Sequence, residues 1–237
     1  MSAGRLDAVI FDWGGTLSEF VSLELLDVWR AAAHHLDPAR EDEITDALSM
    51  VEERFWARTT STQESGTLAD LLAEASAEMG LDVAEAVLEE AAVHHLDSWT
   101  PHIAHDPDAA PVLRALRERG LAIGLLSNTH WPRAFHERFL ERDGLDTLID
   151  ARLYSSELSH LKPHPSVFRA ALGAVGVDDP GRAVFVGDRP LDDIFGAQQV
   201  GMRAVLRPND QVPGFDVTPD GEIASLPELV DLVDSWR

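Results

Sequence analysis

The sequence predicts an α/β protein: a doubly wound parallel sheet with an all-helical module inserted after the first strand. Three observations predict it. Short apolar runs at 6–11, 121–126 and 183–186 each have the length of a buried strand and end abruptly in polar residues or Gly-Asp, and a fourth run covers 202–206. Helix-period segments alternate with these runs, which is the pattern of a parallel sheet with crossover helices. The stretch 18–105 shows only the helical period, with no strand candidate.

Taken in order, the run 6–11 breaks at once into Asp12-Trp13-Gly14-Gly15-Thr16. Four helices are expected next, at 23–36, 44–56, 68–79 before Gly80, and 83–99. Asp37-Pro38 places a capping residue before a proline at a first turn, and Thr67 with Asp70 forms a variant capping box. A helix at 108–119 stops at Gly120, and strand 121–126 then delivers Ser127-Asn128. Helix 166–175 stops at Gly176, strand 183–186 leads into Gly187-Asp188, and Asp192-Asp193 precede a helix opening at Ile194. After strand 202–206 the tail 210–221 reads as loop, and an amphipathic helix follows at 227–236. The expected division is a core of 1–17 and 106–237 with a helical cap of 18–105.

Composition excludes several classes of function. A net charge of -23 and a pI near 4.6 disfavour nucleic acid and anionic membranes, which need basic surface. No run approaches the ~20 apolar residues of a membrane span, and a first strand near Leu6 leaves no room for a signal peptide, so a cytoplasmic protein is expected, as monomer or homodimer. With no cysteine, any metal must use oxygen or imidazole ligands. Lys162 is the only lysine.

In doubly wound sheets ligands bind beyond the carboxyl ends of the strands, where Asp12, Ser127 and Asp188 fall. Gly14 and Gly15 let backbone approach a ligand closely. Carboxylates from different strands suit Mg²⁺, a hard cation that prefers oxygen, and phosphate is the natural partner of such a site. FDWGGTL, LLSNT, LKPHP and VGDRPLDD, in this order and on these strand ends, resemble the four motifs of the haloacid dehalogenase superfamily over nearly the whole chain. The resemblance implies a Rossmannoid core with a cap of the phosphoglycolate phosphatase type. It implies Asp12 as a nucleophile forming an aspartyl phosphate, Thr16 hydrogen-bonding beside it, and Ser127, Gly15 and the Asn128 backbone around the phosphoryl group. Lys162 would neutralise nucleophile and phosphate. Asp12, the Gly14 carbonyl, Asp188 and Asp193 would hold Mg²⁺, with Asp193 preferred over Asp192 by the register of the helix that follows.

One position departs from the pattern. Phosphatases of the superfamily carry an acid/base Asp two residues after the nucleophile, where this chain has Gly14. The phosphonatase branch needs a cap lysine, which is missing; the metal-free dehalogenase branch carries an aromatic there and does not need the intact fourth motif. The remaining readings are a phosphohydrolase of a small phosphorylated metabolite whose leaving group needs little protonation or takes its proton elsewhere, and a weakened relative that binds a metabolite or a protein partner. His102, His105 and His130 are candidate proton donors. Arg54 and Arg58 are candidate anion readers, with surface pairing to glutamates as the simpler role. Trp13 is expected to pack under the cap, and Trp131-Pro132 to form a loop wedge. The pairs His34-His35 and His94-His95 are poor chelates, because adjacent helical residues point about 100° apart.

Overall fold

A computed structural model describes residues 6–19, 21 and 23–236. Among them, six strands form one parallel sheet in the order β3-β2-β1-β4-β5-β6: β1 (Ala8–Phe11), β2 (Ala122–Ser127), β3 (Ala151–Tyr154), β4 (Ala183–Gly187), β5 (Arg203–Leu206) and β6 (Gly221–Glu222). The chain first winds outward through β2 and β3, then returns to the other side of β1 for β4 to β6. The switch point therefore lies between β1 and β4, the position where such sheets take ligands.

The central strands are apolar because both of their faces are covered. Every residue of β1 and β4 is buried. Alternate side chains enter opposite cores: Val9, Phe11, Val184 and Val186 pack under α5 (Ala109–Glu118), α6 (Arg133–Arg142) and α9 (Glu228–Ser235). Ala8, Ile10 and Phe185 pack on the other face, under α7 (Pro165–Ala174) and α8 (Gly196–Gln199). Burying one such large apolar side chain contributes roughly 1.5–3 kcal/mol.

The helical stretch folds as α1 (Leu25–Leu36), α2 (Glu41–Thr62), α3 (Leu68–Glu78) and α4 (Glu85–Trp99), with a core of its own built on Trp29, Ile44, Leu48, Phe55, Leu71 and Ala91. Asp37 caps a short 3₁₀ turn before α2. At α3, the Thr67 hydroxyl accepts from Asp70 N while Asp70 accepts from Thr67 N. The two crossings between sheet and helices run side by side: Glu19 N donates to Ala104 O and Asp106 N to Leu17 O, at 2.9 Å each.

Several elements differ from the expected ones. β3 carries Arg152 and is only half-buried along most of its length, so it lacks the apolar run that marks a central strand. β6 is two residues long and lies where loop was expected to end. α6 was not expected, because its buried Phe135, Phe139 and Leu140 are diluted by three arginines and two glutamates. α2 extends well beyond the expected 44–56, starting on an acidic first turn that suits the positive helix end and stopping where Gln63 adopts φ 56°. The helix expected to open at Ile194 instead begins at Pro190 as a π-helical segment, so Asp192 and Asp193 lie inside it. Pro132 is the N-cap position of α6.

Candidate active site

Parallel register sets the site. Phe11 aligns with Leu125 on β2 and with Val186 on β4, so Asp12, Ser127 and Asp188 emerge together at the carboxyl edge of three adjacent strands. Lys162 reaches the same point from the loop after β3. It is fully buried, and its Nζ donates to Asp12 Oδ1 at 2.5 Å and to Asp193 Oδ1 at 2.7 Å. Burial alone would lower the lysine pKa, but the two carboxylates outweigh it and hold the ammonium charged.

One oxygen each from Asp12, Asp188 and Asp193 lie within 4.8 Å of one another. Against these three carboxylates the cluster sets one lysine. Burial, opposed by Lys162 and reinforced by the neighbouring acids, pushes Asp12 up to about 7. Burial and Asp193 push Asp188 up to about 6. Asp188 Oδ2 accepts from Asn209 Nδ2 at 2.8 Å, whereas its Oδ1 is buried without a hydrogen-bond partner. An excess of buried negative charge with an orphaned carboxylate oxygen fits a divalent cation with oxygen ligands. Asp192 stands apart, half-buried on the cavity wall and 3.8 Å from Arg189, and burial with the Asp193 charge pushes it up to about 6.

The loop after β1 is shaped for this cluster. Gly15 has φ 82°, and a Cβ there would lie 2.2 Å from Asp188 Oδ2. Arg207 Nη1 donates to Thr16 O and Nη2 to Asp106 Oδ2, both at 2.6 Å, tying the loop to the return crossing. The Thr16 hydroxyl is buried without a hydrogen-bond partner in the protein, while its backbone N donates to Trp13 O and its carbonyl accepts from Arg207 Nη1. Asn128 acts through its side chain, which accepts from Lys162 N at 2.8 Å and donates to Lys162 O at 2.9 Å, fixing the lysine loop. Ser127 is buried on the cavity wall beside it.

A cavity of about 690 Å³ lies between sheet edge and helices, with Asp12, Gly14, Ser127 and Lys162 on its core side and Glu52, Trp56 and Trp99 on its helical side. Of the three candidate histidines only His130 lines it. His105 instead accepts from Trp13 Nε1 at 3.0 Å and faces Asp143 at 2.6 Å, and His102 is exposed. Trp13 and Trp131 meet edge-on and both line the cavity, so the expected wedge is part of its wall. Arg54 and Arg58 are exposed and point to Glu74 and Glu78, the surface pairing rather than anion reading. His34 and His35 face Glu41 and Glu90, and His95 stacks on Trp29; among the described residues neither tandem pair joins a metal-type cluster. Glu52, Arg207 and Asn209 were not anticipated. Only Asn209 carried a signal, as a polar residue shortly after a strand end.

Residues 6–201 match the model of the haloacid dehalogenase-like hydrolases. The chain belongs to this hydrolase family. The haloacid dehalogenase-like chain is 38% identical to a phosphoserine phosphatase of Thermus thermophilus over 128 residues, 52% of this chain and 49% of that protein. It is 32% identical to a glyceraldehyde 3-phosphate phosphatase of Methanopyrus kandleri over 160 residues, 65% of this chain and 67% of that protein. Matching thus spans about half the length of the first relative and about two thirds of the second. Among solved structures, a HAD phosphatase from Thermococcus onnurineus aligns with a TM-score of 0.63 at 26% identity, covering 96% of this chain and 98% of that one. A 2-haloacid dehalogenase from Pseudomonas syringae aligns with a TM-score of 0.71 at 24% identity, covering 98% and 100%, a likeness of fold. Among the described residues no helix is long and apolar enough to cross a membrane.

Proposed function

We propose that this chain is a Mg²⁺-dependent phosphohydrolase of small phosphorylated metabolites, with Asp12 as nucleophile and residues 18–105 acting as a cap. The observation that carries the reading is the buried Lys162 bridging Asp12 and Asp193, with Asp188 beside them, at the switch point of the sheet. Relatives named as phosphatases of phosphoserine and of glyceraldehyde 3-phosphate support it.

Asp12, Asp188 and Asp193 would hold the metal, which when bound supplies charge neutralisation for the carboxylates and the phosphoryl oxygens. The free oxygen of Asp12 attacks phosphorus, the bond to the leaving oxygen breaks, and an aspartyl phosphate remains; water then attacks it, releasing phosphate and restoring the carboxylate. Lys162 favours the ionised form of Asp12 against its burial and offsets charge that builds on the phosphoryl group. Ser127 and the backbone at Asn128 orient that group, and the cavity's tryptophans exclude water from the first attack. Gly14 supplies no proton, so the leaving group's own basicity governs the rate; His130 and His136 are the histidines on the cavity wall. The three clustered carboxylates favour the metal-dependent reading over a metal-free dehalogenase.

The test is Mg²⁺-dependent phosphate release from acetyl phosphate and from a sugar phosphate, in wild type and in Asp12→Asn. Release that needs Mg²⁺ and vanishes in the variant is expected. Turnover of the variant at the wild-type rate would overturn the mechanism.

A further inference from the structure

The helical side of the cavity carries a charge pattern that phosphate chemistry does not use. Glu52 on α2 is only 4% exposed and lines the cavity. Its oxygens accept from Trp29 Nε1 at 2.7 Å and from Trp56 Nε1 at 3.4 Å. Among the described residues no lysine or arginine lies within ion-pair distance of it, and its one titratable partner is His130, 3.7 Å away. Burial, partly opposed by Glu52, lowers the His130 pKa, which leaves the ring neutral and the carboxylate uncompensated. A buried carboxylate without a cation is costly unless something in the working state answers it.

Aromatic rings continue from Glu52 along the wall. Ring centroids are 5.6 Å apart for Trp56 and His130, 6.0 Å for His130 and Trp131, and 5.0 Å for Trp131 and Trp99. Both His130 nitrogens and the indole nitrogens of Trp99 and Trp131 are buried without hydrogen-bond partners, so the protein does not complete this wall by itself. Indole faces attract cations, most strongly where water is excluded. The cap supplies no arginine here, since Arg54 and Arg58 pair with surface glutamates. Arg189, on the opposite rim, lies 3.8 Å from Asp192. An anionic leaving group would meet an uncompensated carboxylate; an ammonium would meet its complement.

We propose that the part of the substrate beyond the phosphate carries an alkylammonium group, held between Glu52 and the faces of Trp56 and Trp131. The substrates are then phosphomonoesters of amino alcohols. This rests on the phosphohydrolase reading for the other half of the cavity, but its binding test does not depend on turnover.

The experiment compares choline with its uncharged carbon isostere, 3,3-dimethylbutanol, by quenching of tryptophan fluorescence in the whole protein with Mg²⁺ and inorganic phosphate present. Choline should bind about thirtyfold more tightly, the size of a desolvated cation–π contact of about 2 kcal/mol. Glu52→Gln should collapse the difference, and Trp56→Leu should reduce it should the first variant not fold. In turnover, KM should rise from choline phosphate to 3,3-dimethylbutyl phosphate to phosphoglycolate. Equal binding of the two probes by wild type, or tighter binding of the isostere, would overturn the proposal. Hydrolysis of acetyl phosphate that is lost in Asp12→Asn, together with no choline preference, would sink the ammonium site alone. Choline preference without hydrolysis of any phosphate would sink the phosphohydrolase reading and leave this one standing.

Discussion

Lys162→Met removes the only lysine while keeping the length of the side chain, and it leaves Asp12 and Asp193 facing each other without their cation. Lys162 and Asp193 are fully buried and Asp12 is 6% exposed, so water only partly replaces the lost partner. Breaking a buried ion pair from one side costs about 3–5 kcal/mol. For a chain of this size that corresponds to a fall in Tm of roughly 6–20 °C. The penalty must also depend on pH. Asp12 is already pushed up to about 7 with its lysine present, and losing the lysine moves it higher. Below that range the carboxyl is protonated in the folded variant and the missing cation matters little; above it the charge is uncompensated. Thermal unfolding in EDTA, at pH 5 and at pH 8, measures both effects. The variant should lie close to wild type at pH 5 and far below it at pH 8. A drop of less than about 2 °C at pH 8, well under the range for a broken buried pair, or an equal drop at both values, would refute the reasoning.

Three further outcomes follow from the same geometry. Gly15→Ala places a Cβ on Asp188 Oδ2 and forces a positive φ on alanine, so it should lower stability by about 1–3 kcal/mol and weaken Mg²⁺ binding, read by thermal unfolding and by metal titration. Gly14 has open space at its Cβ position, so Gly14→Asp should raise turnover of a sugar phosphate by about 10²-fold or more, with little gain on acetyl phosphate; equal gains on both would exclude proton donation as the cause. In the metal-free chain Asp12 is raised from 3.8 to about 7 and Asp188 from 3.8 to about 6, so their contribution to stability is present below about 3.8 and is lost as pH rises through 6–7. Mg²⁺ should therefore raise Tm more at pH 8 than at pH 5, and a pH-independent gain would contradict this.

What the sequence disclosed depended on how local each signal was. The residues of β1 and β4 are apolar without interruption because both sheet faces are covered, so their ends, and with them Asp12 and Asp188, were legible. β3 and α6 carry charge at their exposed positions and escaped notice. Lys162 stood out as the sole lysine in a Leu-Lys-Pro turn, but its meeting with Asp193, 31 positions away, is a product of the fold; locally, only the bond that Asp193 Oδ2 accepts from Arg189 N orients the carboxylate. Glu52 gave no sign, since on α2 it is one acid among several, and only the fold sets it against the loop after β2. Arg207 bonds to Thr16 across 191 positions, a contact no local pattern encodes. The Thr16 side chain shows the reverse: a familiar motif position promised a hydroxyl hydrogen bond, but that hydroxyl has no partner in the protein.

The central claim is that Asp12 takes the phosphoryl group. Acid quench of the protein during turnover of acetyl phosphate with Mg²⁺, followed by peptide mass spectrometry, tests it most directly. One phosphoryl adduct on the peptide containing Asp12, absent from Asp12→Asn, is the predicted result. An adduct on a histidine, or steady hydrolysis by Asp12→Asn with no adduct on either protein, would contradict it.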